Sequence, residues 1–107
     1  MGIWMQIAYF GFAGSTQLEA EASIQLMRLE QFSPQLAGCH LVIEAMGVST
    51  RQPSYDVRLD LITRNGELSP VPHMTGTDPM NALEQAFDLA ERQLGTSAAT
   101  GTHENSR

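Results

Sequence analysis

A chain of 107 residues provides for one domain and is too short for two. Apolar residues at 42% and charged residues at 17% set it in the globular range and outside the disordered one. Lysine is absent, all six cationic residues are arginine, and the formal net charge is −6, a balance that counts against a surface built around polyphosphate.

No apolar run approaches the roughly 20 residues of a membrane span. Met1-Gly2-Ile3-Trp4-Met5 has neither the basic region nor the long apolar stretch of a secretory signal, so the expected location is the cytoplasm. Met5 is an alternative start. Cys39, the single cysteine, has no mate for an internal disulfide, and within the apolar run Cys39-His40-Leu41-Val42-Ile43 it reads as a small buried residue.

The aromatic and branched stretch from Trp4 to Phe12 predicts a first strand ending at Gly11 or Gly14. Thr16 with Glu19 three residues on makes a capping box. Leu18, Ala22, Leu26 and Leu29 then recur at helical steps, with Phe32 extending the face, and Ser33-Pro34 ends the helix. A second strand runs from His40 to Met46, followed by the Gly- and Ser-containing connection 47–54. From Tyr55 to Arg64 the alternation is plain: Tyr55, Val57, Leu59 and Leu61 point one way, Asp56, Arg58 and Asp60 the other. Such a strand has one buried and one wet face, as antiparallel pairing allows.

Asn65-Gly66 predicts a hairpin into a fourth strand from Glu67 to Met74. Pro70 and Pro72, two apart, remove donors along one side, which assigns that strand to a sheet edge with the proline side outward. Asp78 as N-cap and Pro79 at the first helical position open a last helix. Its apolar stripe is Met80, Leu83, Phe87, Ala90 and Leu94, and Gly95 is a natural C-terminal cap. The expected organisation is a domain over residues 1–95 and a disordered polar tail over 96–107. The order β-α-β-β-β-α predicts an α+β two-layer sandwich: a four-stranded mixed sheet with two helices on one face, the first helix crossing between parallel strands.

Several words along the chain resemble the ribosome hibernation-promoting factors, the family also called ribosome-associated inhibitors or protein Y. They are Met5-Gln6-Ile7, Arg28-Leu29-Glu30-Gln31-Phe32, His40-Leu41-Val42-Ile43-Glu44-Ala45, Asp56-Val57-Arg58-Leu59-Asp60-Leu61 before Asn65-Gly66-Glu67-Leu68, Asp78-Pro79-Met80-Asn81-Ala82-Leu83, and Ala90-Glu91-Arg92-Gln93-Leu94. In order and spacing they cover residues 5–94. The resemblance implies the same β-α-β-β-β-α fold, no catalysis and no cofactor. It also implies binding in the decoding region of the small ribosomal subunit, to rRNA and proteins, with translation blocked by occupancy. Basic family positions match Arg28 and Arg92, and also Arg51 and Arg64, as rRNA-binding residues. The first helix sets Arg28 against Glu19, Glu21 and Glu30, and the second sets Arg92 against Glu84, Asp88 and Glu91. These acidic helices keep open an alternative: a diverged member of the fold that binds a protein partner, or itself as a homodimer, and not the ribosome.

The plain alternative for each arginine is solvated charge. Arg28 is within reach of Glu21 or of the turn at Glu30, Arg92 lies four residues after Asp88, and Arg51 and Arg64 fall in loops. His40, His73 and His103 have no metal-ligand spacing. Asp56 and Asp60 lie roughly 13 Å apart along one strand, too far for a glycosidase pair. No phosphate loop or nucleophile motif is present, so no catalytic residue, metal, cofactor or small-molecule substrate is expected. Trp4, Tyr9 and Phe10 offer stacking to bases, but strand aromatics are expected in the core.

Overall fold

The computed structural model describes residues 2–47 and 52–105. Strand β1 (Trp4–Phe10) leads into helix α1 (Thr16–Leu29) and a 3-10 turn, Glu30–Phe32. Strands β2 (Leu36–Met46), β3 (Ser54–Thr63), β4 (Leu68–Pro70) and β5 (Met74–Gly76) follow, and helix α2 (Pro79–Asn105) closes the order. β1 pairs parallel with β2 across the α1 crossover, and β2 pairs antiparallel with β3. β4 and β5 both pair antiparallel with β3, on its other side. The mixed sheet and the two helices of the expected α+β fold are therefore present.

The register explains the core. Cys39 stands opposite Leu61, Leu41 opposite Leu59, and Ile43 opposite Val57; Met5, Ile7 and Tyr9 extend these three rows onto β1. All six residues of β2 and β3 are buried, as are Leu18, Ala22 and Leu29 of α1 and Leu83, Ala86, Phe87 and Ala90 of α2. One sheet face and two helical stripes thus bury each other, at about 1.5–3 kcal/mol for each large aliphatic side chain. Burial also pushes the Cys39 thiol up to about 12, so it stays a neutral packing group.

The residues of opposite parity form an open face. Trp4, Gly38, Ile62 and Leu68 make one row across it; Gln6, His40, Asp60 and Pro70 make the next. Gly38 is required here, because a Cβ would stand 2.2 Å from the Trp4 indole that lies over it. No described helix is long and apolar enough to cross a membrane.

Several expected boundaries move. The cap of α1 is Ser15, whose Oγ accepts from the Leu18 amide at 3.1 Å; Thr16 is the first helical residue and Leu18 stands at the third helical position, so the expected Thr16–Glu19 capping box does not form. β2 starts at Leu36, four residues early, because its ladder with β1 reaches back to Gly38 and its ladder with β3 to Leu36, opposite Thr63. The Asn65-Gly66 hairpin forms, but only Gly66 has positive φ, at 83°. The Gly66 amide donates to Thr63 O and the Thr63 amide to Glu67 O, each at 2.9 Å, a tight turn completed by a left-handed glycine.

The single fourth strand becomes two. β4 ends with Pro70 opposite Asp60, β5 begins with Met74 opposite Val57, and so residues 71–73 span only 58–59 of β3. That extra residue is a bulge. Within it the Val71 amide donates to Leu59 O at 2.9 Å and the Val71 side chain is buried, while Pro70 and Pro72 face outward as expected of an edge. The last helix opens on Asp78, whose Oδ1 accepts from the Met80 amide at 3.0 Å, but it does not stop at Gly95. Gly95 keeps a helical φ and α2 runs on to Asn105, because a mid-helix glycine costs only about 1 kcal/mol and no left-handed cap forms.

Candidate nucleic-acid interface

The four arginines expected to meet rRNA do not converge. Arg28 sits in the last turn of α1 and reaches across to α2. One of its terminal nitrogens meets Asp88 Oδ1 at 2.8 Å and also Glu91, and the other donates to Gln25 Oε1 at 2.6 Å. Gln25, the buried polar residue of α1, donates in turn to Glu21 at 2.7 Å, and Gln31 donates to Glu91 at 3.1 Å. Hydrogen bonds that it donates to Asp88 and Glu91 hold the Arg28 guanidinium above its ordinary range. Arg28 is therefore a clamp between the helices, and its ion-pair partners lie on α2 rather than at Glu21 or Glu30. The spacing along α1 cannot reveal partners that only packing brings near.

Arg64 stands at the hairpin. Its Nε donates to Ser33 O at 2.9 Å and its amide to Gln35 O at 3.1 Å, tying the turn to the α1–β2 connection. Arg92 lies exposed on the other flank of α2, beside Pro72, Met74 and Leu89, where it lines two shallow depressions next to the bulge. It makes no ion pair with a described residue, the i,i+4 pair with Asp88 included, because Asp88 faces Arg28. Arg51 lies outside the described residues.

The seam between the helices is acidic. Glu21, Glu84, Asp88 and Glu91 surround the single cation Arg28. Burial and then the facing Glu21, with Asp78 and Asp88, raise the Glu84 carboxyl above the usual range.

Two features of the open sheet face were not foreseen. Arg58 pairs with Asp60 at 3.4 Å and His73 with Asp56 at 3.1 Å; the alternation of β3 marked that face as wet but not its pairs. Trp4 and Phe10, expected in the core, are 45% and 55% exposed. Parity was the available signal: residues 5, 7 and 9 take the core side, so 4 and 10 cannot. Of the three aromatics only Tyr9 packs on the core, edge-on against Phe12. Trp4 leans over Gly38 toward His40, with ring centres 5.3 Å apart. A depression of about 480 Å³ lies beside it, between Gln6, Ala8, His40, Val42 and Arg58. Among the described residues no cluster of histidine, cysteine and carboxylates has metal-binding geometry.

A five-stranded mixed sheet in the order β-α-β-β-β-β-α, its last two strands sharing one edge and both helices on one face, has the fold of the ribosomal subunit interface proteins, as the resemblance in its sequence implied. A ribosomal subunit interface protein from Coxiella burnetii superposes with a TM-score of 0.74 at 14% identity, covering 91% of this chain and 99% of that one. The Protein Y N-terminal domain of Thermus thermophilus superposes with a TM-score of 0.63 at 19% identity, covering 88% and 96%. No family model and no curated protein sequence matches the chain.

Proposed function

We propose that this chain is a ribosome-associated protein of the hibernation-promoting type, which binds the small subunit and blocks translation by occupancy, without chemistry, in the cytoplasm. The observation that carries this reading is the fold shared with a ribosomal subunit interface protein along 99% of that protein's length. Of the four arginines expected to meet rRNA phosphate, Arg64, Arg92 and, from its sequence position, Arg51 remain once Arg28 is committed to Asp88 and Glu91. Contacts so few imply weak binding with a shallow salt dependence.

The acidic seam of Glu21, Glu84, Asp88 and Glu91 favours a second reading, in which the helices meet a basic protein surface and not the ribosome. Co-sedimentation with bacterial ribosomes at low and physiological salt separates the two. Migration with the small subunit, lost on Arg64→Glu with Arg92→Glu, is the expected result. Protein that stays at the top of the gradient at both salts overturns the ribosomal reading and leaves the second.

A further inference from the structure

The two edges of the sheet are treated differently. The β4–β5 edge carries Pro70 and Pro72 on its outer side and a bulge between its halves, both of which block strand addition. β1, the other edge, is a seven-residue strand that among the described residues pairs only with β2 and contains neither proline nor charge. The first charged residue of the chain is Glu19. In a protein of net charge −6, an unguarded and wholly neutral edge stands out.

We propose that β1 pairs antiparallel with β1 of a second copy of this chain, joining two sheets about a two-fold axis at Ile7. The strand is self-complementary about that residue. Trp4 and Phe10 lie three residues to either side, so each Trp4 falls directly opposite Phe10 of the second copy on the open face. Met5 likewise falls opposite Tyr9 on the helix-covered face, and Gln6 opposite Ala8. Trp4 and Phe10 are the two large side chains of β1 left exposed, and opposed aromatic pairs are favoured across strands. Trp4 leans inward over Gly38, which leaves the outer backbone of β1 clear.

Charge selects a second copy at this edge over one on either broad face. Two open faces would bring Glu44, Asp56 and Asp60 against their like, with Arg58 and His73 already paired to the two aspartates, and two helix pairs would do the same with Glu21, Glu84, Asp88 and Glu91 around Arg28. The β1 seam brings no like charges together. This inference stands apart from ribosome binding, and its test does not involve ribosomes.

Sedimentation velocity of the full chain, at concentrations rising through the micromolar range, tests it. The expected result is a reversible monomer–dimer equilibrium. Trp4→Lys with Phe10→Lys sets like charges opposite each other and should raise the dissociation constant by at least about tenfold. Trp4→Lys with Phe10→Glu sets opposite charges there and should restore the dimer. In the unaltered chain, amide exchange through β1 should slow as concentration rises. A monomer at every concentration overturns the proposal, as does a dimer indifferent to the double lysine variant or one that the Lys–Glu variant fails to restore.

Discussion

Arg28 on α1 meets Asp88 on α2 at 2.8 Å, sixty positions away in the chain, and the same guanidinium nitrogen also meets Glu91. An arginine that reads from the sequence as a phosphate contact thereby joins two helices whose facing side chains are otherwise carboxylates and amides. Buried apolar stripes hold the helix pair on the sheet, and one cation serving both carboxylates joins the two helices at their exposed seam.

Removing that cation has a measurable consequence. Arg28→Gln should lower stability by about 1 kcal/mol, the upper end for a partly exposed pair, since Arg28 and Asp88 are 39% and 47% exposed. Urea unfolding at low and at molar salt is the check: the deficit should shrink as salt screens the carboxylates left facing each other. The same variant should co-sediment with ribosomes as the unaltered chain does, since its charge already has partners.

The acidic seam sets a pH dependence. Glu84 is raised in the folded state by burial, Glu21, Asp78 and Asp88, so between its unfolded and folded pKa the native chain binds more protons than the unfolded one. Stability must then fall as pH rises through that window, from the ordinary carboxylate range upward, and hold its lower level beyond it. Glu84→Gln should stabilise the chain at neutral pH by about 0.2–0.5 kcal/mol, the size of an i,i+4 like-charge repulsion. Thermal melts should place the two proteins level again in acid; a gain at acid pH equal to that at neutral pH would refute the assignment.

The start of α1 distinguishes two adjacent hydroxyls. Ser15→Ala removes the acceptor of the Leu18 amide and should cost about 1 kcal/mol, whereas Thr16→Ala, inside the helix, should change stability by no more than a few tenths. Chemical denaturation of both variants decides which residue is the cap.

The division at residue 95 is tested by truncation. Among the side chains described, the last core residue of α2 is Leu94, and Gln93 donates to Ser69 at 2.9 Å, so the packing of α2 on the sheet extends at least that far. A chain ending at Thr96 should melt within a degree or so of the full chain. A large loss would show that the later turns support the fold.

Element order, the two parities of β3, the Asn65-Gly66 turn, the outward prolines and the Asp78-Pro79 start of α2 were legible in the sequence. Each depends on interactions between residues close along the chain: side-chain alternation, a glycine that takes positive φ, a missing donor, a carboxylate two residues before an amide. The choice between Ser15 and Thr16 escaped because both hydroxyls suit a cap, and the ladder geometry alone selects one. Neighbours distant in sequence decided the rest. The register of β1 on β2 turned Trp4 and Phe10 outward and made Gly38 the floor for an indole. The register step on β3 split the last strand around Val71, and packing of α1 on α2 turned Arg28 from a free cation into a bridge. Local chemistry determines which elements form and which of their faces are apolar; only the closed packing of sheet and helices determines which charges meet.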